Sequence, residues 1–390
     1  VNLDQPLRVI ANAVAGPGRP GLPIAPGRWH VLFGGRQRPL LMPAGEYQQQ
    51  KRWLPYFVGG HSKSLYARTL LKLNSLLPTI GFLPEFQVER AADAGHDRET
   101  PTGLQSVIQI GTTGPYQKAS VLLISERGEG LALAKVALVP SADAMVVGEA
   151  NWLREVAGLD RFTDQVPRLL AEGAVADGRR YLVTSLAPST RATTDFTPAH
   201  ARFLRRLGRS RMEIMGFRAS PCCAYLEGSL VAVLPHVERE DAARLRDALL
   251  DCQRALSDFV GPFVFSQGDF AWWNIRLHSD GIFVFDWEYA RLGANPLADL
   301  FHFHMMQRAA AGRSIGRPFL AKLMRRAQEF ARELYPETKW RASKVSALAL
   351  VYVLEVLLQY CRAGKGLDRT ARVIQTYWQL MERRSAWMTT

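Results

Sequence analysis

Three residues in this 390-residue chain have the types and spacing to do chemistry together: Asp269, Asn274 and Asp286. They lie in the stretch Phe263–Tyr289, FVFSQGDFAWWNIRLHSDGIFVFDWEY. It opens on an apolar run, Phe263–Phe265, that suits a short buried strand. A Gly268-Asp269 step follows, and Asn274 stands five residues after the aspartate. Two apolar segments, 274–277 and 282–285, are then separated by His-Ser-Asp-Gly, and an Asp-Gly step between apolar runs signals a hairpin. With the turn centred on Asp280, Asn274 and Asp286 face one another across the ladder, and Asp269 lies on the loop that feeds into them. Hard oxygen ligands converging in this way suit Mg²⁺, which binds through one or two side chains plus substrate phosphates. Any one of these residues alone would more simply be read as satisfying loop amides. The joint pattern reverses that reading.

An aspartate, an asparagine five residues on and a second aspartate after a short hairpin resemble the catalytic and metal core of the protein-kinase fold. With Gly268 before the first aspartate and Asp286-Trp287-Glu288 at the second, the stretch resembles the aminoglycoside phosphotransferase and choline-kinase-like family. That family shows His-Gly-Asp-x-x-x-x-Asn followed by Ile-Asp-Trp-Glu. Here Gln267 stands in place of the His, where a Gln can keep one hydrogen bond to the loop. The resemblance covers about residues 104–305. It implies an α+β, bilobal protein-kinase-like fold, with an antiparallel five-stranded small lobe, a mainly helical large lobe and an extra N-terminal region. It also implies an ATP- and Mg²⁺-dependent phosphotransferase that moves the γ-phosphoryl group to a hydroxyl of a small molecule, a sugar, polyol or amino alcohol. Asp269 would be the catalytic base, with Asn274 and Asp286 holding the metal. The alternative is a catalytically inactive nucleotide-binding pseudokinase module acting in a larger assembly. A protein kinase fits less well, because Asp286-Trp287-Glu288 replaces Asp-Phe-Gly and no segment ending in Ala-Pro-Glu follows.

These residues need elements to position them. Leu104–Ile110 and Ser120–Ser125 are strands joined by a loop with Gly111 and Gly114. Such a loop lets backbone amides approach phosphate oxygens, although its Gly-x-x-Gly spacing departs from Gly-x-Gly-x-x-Gly. A third strand, Leu131–Leu138, carries Lys135 alone among apolar residues, and a lysine there requires a partner. The resemblance implies a glutamate on the next helix, Glu149 before Glu155, with the ammonium also reaching the nucleotide's α- and β-phosphates. Val166–Leu170 and Tyr181–Ala187 read as two further strands. Beyond them helical periodicity dominates. Thr197 and Pro198 open one helix, Arg239–Phe259 is amphipathic, and helices follow at Phe319–Leu334, Lys344–Tyr360 and Asp368–Glu382. Asp299 reads as a brace for the Asp269 loop, and His302 and His304 as packing or pocket-lining residues. The expected organisation is residues 1–100 as an N-terminal extension, 101–188 as the nucleotide lobe and 189–390 as the helical lobe with the acceptor pocket. Within the first hundred, Trp29–Phe33 and Pro39–Met42 read as a hairpin, Ser62–Leu77 as a helix and Ala91–Pro101 as a linker.

Net charge is +13, and residues 301–390 hold 16 of the 49 Lys and Arg against 6 of the 36 Asp and Glu. The arginines are scattered along helices at surface-like spacing, so a solvated helix face is a simpler reading than a docking site. An acceptor carrying phosphate or carboxylate, or peripheral contact with an anionic membrane, also suits that charge. No nucleic-acid motif accompanies it. Four cysteines without metal-ligand spacing fit a reducing, cytoplasmic compartment. No signal peptide is visible. The apolar stretch Ala347–Tyr360 is short for a bilayer and carries Glu355, so it reads as a core helix and not a transmembrane segment.

Overall fold

The computed structural model describes residues 27–33, 38–44, 47–57, 67–69, 71–72, 85–88, 105–125, 127–159, 162–175, 177–189, 191–278, 281–364 and 371–388. The chain divides into two compact units, Val1–Thr190 and Arg191–Thr390.

The first unit is built on one antiparallel sheet. In chain order its elements are β1 (Gly27–Phe33), β2 (Pro39–Pro43), α1 (Tyr47–Phe57), β3 (Glu85–Val88), β4 (Gln105–Ile110), β5 (Lys118–Ile124), β6 (Gly130–Ala137), α2 (Pro140–Ala157), β7 (Leu169–Ala174) and β8 (Arg180–Ser185). The strands lie in the order β3-β1-β2-β4-β5-β6-β8-β7. The five strands expected from the sequence are therefore eight. The hairpin read at Trp29–Met42 forms β1 and β2, and β2 pairs with β4 through Leu40↔Gln109 and Leu41↔Ile108.

Alternation explains why the sheet grows past five strands. Side chains along a strand point to opposite faces in turn. Trp29, Val31 and Leu41 join Ile108, Ile110, Val121 and Val136 in one core. On the other face Leu32, Leu40 and Met42 pack with Val107, Leu122 and Ile124 beneath Trp53 and Leu54 of α1. The first hundred residues thus share both cores with the strands of the expected nucleotide lobe. The strand expected at Val166–Leu170 starts three residues later, at Leu169. The linker read at Ala91–Pro101 and most of the helix read at Ser62–Leu77 lie outside the described residues.

The second unit is mainly helical: α3 (Pro198–Ser210), α4 (Pro221–Val233), α5 (Arg239–Ala255), α6 (Ala298–Phe301), α7 (Gln307–Ala310), α8 (Arg317–Leu334), α9 (Ala342–Arg362), α10 (Arg372–Glu382) and α11 (Ser385–Met388). Start signals are local: Pro198 opens α3, and Ser220 Oγ accepts from Cys223 N at the head of α4. The unit is centred on α9, which packs against α4, α5 and α10. At 21 residues α9 outruns the stretch read from sequence and is long and apolar enough to cross a membrane, yet 83% of its apolar window is buried inside the protein. That is the profile of a core helix.

Two small sheets carry the candidate site: β9 (Glu213–Gly216), β10 (Val260–Ser266) and β13 (Arg291–Ala294) in the order β13-β10-β9, and the hairpin β11 (Ile275–His278) with β12 (Gly281–Val284). The hairpin is where the sequence places it, but its register differs by one residue. Ile275 pairs with Val284 and His278 with Gly281, so Phe285 N donates to Asn274 O at 3.1 Å. The last pair is His278↔Gly281, so the ladder is not centred on Asp280. Asn274 therefore lies opposite Phe285, and Asp286 stands one residue past the last pair. The turn residue Asp280 itself is outside the described residues.

Candidate active site

In the first unit, β6 pairs with β5 through Ser120↔Lys135 and with β8 through Lys135↔Leu182, placing Lys135 in the interior of the sheet. Its Nζ donates to both carboxylate oxygens of Glu149, each at 2.7 Å. The side chains are 12% and 3% exposed. Glu149 is thus the partner of Lys135, as anticipated. A buried charge pair is tolerable only with close geometry of this kind.

The glycine loop between β4 and β5 is present, but Gly111 has a narrower role than the sequence suggested. Its N–H is taken by Lys118 O at 2.7 Å, and a Cβ here would meet that oxygen at 2.6 Å. Gly111 is needed for this close approach, and its amide is not offered outward. Gly114 accepts from Gln117 N at 3.1 Å. Arg38 Nε donates to Thr112 Oγ1 at 2.7 Å, so the N-terminal hairpin reaches the loop.

In the second unit, the end of β10 delivers Ser266 and Gln267 into the loop that carries Asp269. Gly268 adopts φ +83°, and a Cβ there would meet Tyr289 O at 2.2 Å, so only glycine fits. Asp299 of α6 braces this turn: its carboxylate accepts from Ser266 Oγ at 2.9 Å, Gln267 N at 2.9 Å and Gly268 N at 3.0 Å. Burial raises the Asp299 pKa above the ordinary value against the pull of those donors.

Gln267 does more than keep one hydrogen bond. Fully buried, its Nε2 donates to Asp286 O at 2.6 Å and Phe285 O at 3.2 Å, while its Oε1 accepts from Asp269 N at 2.9 Å. One side chain thereby ties the backbone of Asp269 to that of Asp286. Asn274 Nδ2 donates to Asp269 Oδ2 at 2.8 Å and to Asp269 O at 3.0 Å. Asn274 Oδ1 carries no hydrogen bond among the described residues. Asp286 has φ +65° and is the only non-glycine residue with positive φ among those described. Such strain gathers at functional positions.

His302, expected as a packing or pocket-lining residue, lines a cavity and also approaches Asp269. Its Nε2 lies 2.8 Å from Asp269 Oδ1, at ion-pair distance but off the line a hydrogen bond needs. Its Nδ1 is 3.4 Å from Tyr352 Oη, which is 2.6 Å from Tyr377 Oη. His302 opens a π-helical turn, His302–Met306, between α6 and α7. Turns of this kind recur at functional sites. A cavity of about 220 Å³ is lined by His302, Gly268, Tyr225, Tyr289, Arg291 and Glu355, among others. Arg291 is already held there by Glu355 at 2.5 Å.

The Asn274 amide oxygen and the Asp286 carboxylate are hard oxygen donors, the ligand type that divalent magnesium takes.

No family model matches the chain, and no curated protein matches it. Solved structures do. A thermostable mutant of aminoglycoside phosphotransferase APH(4)-Ia is 16% identical, with TM-score 0.48 over 72% of this chain and 94% of that one. An aminoglycoside 2'-phosphotransferase-IIIa in complex with GDP is 14% identical, with TM-score 0.44 over 73% and 92%. Amicoumacin kinase hAmiN, in complex with AMP-PNP, Ca²⁺ and Ami, is 12% identical, with TM-score 0.44 over 70% and 88%.

Proposed function

We propose that this protein is an ATP-dependent phosphotransferase that moves the γ-phosphoryl group to a hydroxyl of a small molecule, with Asp269 as the catalytic base. The observation that carries the reading is the network around Gln267. It fixes two carboxylate-bearing residues, Asp269 and the strained Asp286, through one buried amide side chain, with Asn274 locking the Asp269 rotamer.

Phosphoryl transfer leaves the protein mainly positioning and charge neutralisation to supply, since the transition state is loose. Asp269 would orient the acceptor hydroxyl and take its proton. Lys135, oriented by Glu149, would hold the α- and β-phosphates, with amides from Thr112 to Gly114 as candidates for further phosphate contacts. Asn274 Oδ1 and the Asp286 carboxylate would hold Mg²⁺, whose role when bound is to bridge the β- and γ-phosphates and neutralise developing charge. Four free, buried cysteines fit a cytoplasmic setting for ATP chemistry.

The cavity beside His302 is the place for the acceptor. Tyrosines line it, its arginine is neutralised by Glu355, and Glu288 and Asp299 line it as well, which suits a polyol, a sugar or a cationic amino alcohol better than an anion. This departs from the anionic acceptor that net charge alone favours.

The test is mass detection of a phosphorylated product after incubation with ATP, Mg²⁺ and a panel of sugars, polyols and amino alcohols. The Asp269→Asn variant should be slower by roughly 10²–10⁴-fold while still binding ATP. Transfer at the wild-type rate by that variant removes Asp269 from the role. Absence of any phosphorylated product, with ATP bound, favours a retired nucleotide-binding module.

A further inference from the structure

The basic excess of the C-terminal ninety residues has a location that the phosphotransfer reading does not use. A cavity of about 550 Å³ opens between the loop before α8, the start of α8, α10 and α11. Arg313, Arg317, Arg372 and Arg383 all line it, and no Asp or Glu does. It shares no lining residue with the cavity beside His302. Among the described residues, none of the four guanidinium groups forms an ion pair, whereas Arg205, Arg244, Arg291 and Arg384 of the same unit all do.

Two further features bear on the same space. The first is the N-terminus of α8. Gly316 is its N-cap and provides no side chain to the amides of the first turn, and Gly316 and Arg317 both line the cavity. An uncapped helix start of 18 residues presents donors and the positive end of the macrodipole to the same space. The second is the wall opposite. Arg372 Nη1 lies so close to Gly312 that even a Cβ there would be 3.0 Å away, and Arg308 holds the loop by donating to Ser314 O at 2.8 Å. Arg372 thus lies against the loop, and all four arginines are exposed to solvent.

We propose that this cavity is a binding site for a compact polyanion bearing two or more phosphate groups, separate from the acceptor site. Four like charges around one space repel each other and are stabilised by a ligand that neutralises them. Arginine's planar fork matches phosphate oxygens two at a time. The volume falls within the range of small-molecule sites. The ligand could be a free polyphosphorylated molecule or a phosphorylated lipid headgroup, since both present the same groups.

Calorimetric titration of the full chain with tripolyphosphate, without divalent metal, tests the site. The Arg372→Gln/Arg383→Gln double variant should bind roughly 100-fold more weakly, about tenfold per charged hydrogen-bonding group removed. Arg332→Gln, an exposed arginine of α8 that does not line the cavity, should bind as the wild type does, which separates this site from a general loss of charge. If the double variant does not match the wild-type thermal midpoint, Arg313→Gln/Arg317→Gln makes the same comparison from the other wall. No binding by the wild type, or equal affinity in the arginine variants, overturns the proposal. Vesicles of phosphatidylcholine with and without phosphatidylinositol bisphosphate then identify the source. Sedimentation with the bisphosphate vesicles alone, reversed by tripolyphosphate, points to a headgroup; tripolyphosphate binding without sedimentation points to a soluble ligand. Phosphotransfer is not a readout here, so the outcome stands whether or not the proposed activity does.

Discussion

The Lys135–Glu149 pair and the Asp269 loop both hold charge where water has little access, and they do so by opposite means. On β6 a single cation meets a single anion, two oxygens to one nitrogen, with the sheet on either side. At the end of β10, two carboxylates are held largely by neutral donors. Asp299 accepts from a hydroxyl and two amides, and Asp269 from the Asn274 amide, with Gln267 joining the backbone on both sides. A pair concentrates its stability in one contact, so losing a partner is severe and losing both is mild. A network spreads it, so each loss is moderate and none is repaired by a second.

The largest expected effect tests the pair. Glu149→Gln strands the Lys135 ammonium in the sheet, and Lys135→Met strands Glu149; each should lower unfolding free energy by about 3–5 kcal/mol in urea titration. Lys135→Met/Glu149→Met should recover most of that, because no unpaired charge remains, while the proposed phosphotransfer should be lost in all three. A double variant as unstable as the singles would show that packing, not charge, sets the cost.

The network should behave otherwise. Gln267→Ala removes three side-chain hydrogen bonds and should cost about 2–4 kcal/mol at about 1 kcal/mol each, with a fall in kcat as Asp269 and Asp286 lose their common tether. Gln267→His is the sharper variant. An imidazole cannot both accept from Asp269 N and donate to two carbonyls, so the residue commonly found in the resembling family should be worse here than the Gln. Stability and kcat equal to wild type in Gln267→His would show that the extra contacts are incidental.

The same contrast decides what could be read from the sequence. Lys135 was legible because a lysine inside LALAKVAL breaks its own pattern and needs a partner, and the family resemblance implied that the partner stands on the next helix. The hairpin was legible from its Asp-Gly step, though not its register, since a ladder ending at His278↔Gly281 and one centred on Asp280 differ by one position that no side chain marks. His302 was legible as a packing or pocket-lining residue from its alternation with phenylalanines in LFHFHMM, but not as a neighbour of Asp269, which it approaches from a π-helical turn. The eight-stranded sheet was missed for a related reason: β1 and β2 looked like an isolated hairpin because their pairing with β4 joins residues far apart in the chain.

A smaller effect separates His302 from the histidine two residues on. His304 belongs to an aromatic cluster with Phe196 and Phe303, and burial lowers its pKa to about 4. Between that value and the unfolded value of 6.5 the unfolded chain binds the extra proton, so stability is complete above about pH 6.5 and is lost as pH falls toward 4. His304→Phe removes this term. The difference in unfolding free energy between the variant and wild type should therefore move in the variant's favour by about 1–2 kcal/mol between pH 7 and pH 5. A pH-independent difference would mean that His304 titrates alike in both states.

The smallest effect probes how far the network extends from Asp269. Tyr352 and Tyr377 are fully buried, their hydroxyls 2.6 Å apart, and Tyr352 reaches toward His302 Nδ1. Tyr377→Phe deletes one hydroxyl and leaves Tyr352 Oη with the longer 3.4 Å contact to His302. Stability should fall by about 1 kcal/mol, the net worth of one buried hydrogen bond. The effect on kcat distinguishes a scaffold from an extension of the site. If His302 is held by packing within the π-turn alone, kcat changes by less than about twofold, well under one decade per 1.4 kcal/mol. If Tyr352 orients His302 and thereby Asp269, the variant loses kcat in proportion to stability, and Tyr352→Phe loses more than Tyr377→Phe. The second pattern is the one expected, because Tyr352 alone touches both partners.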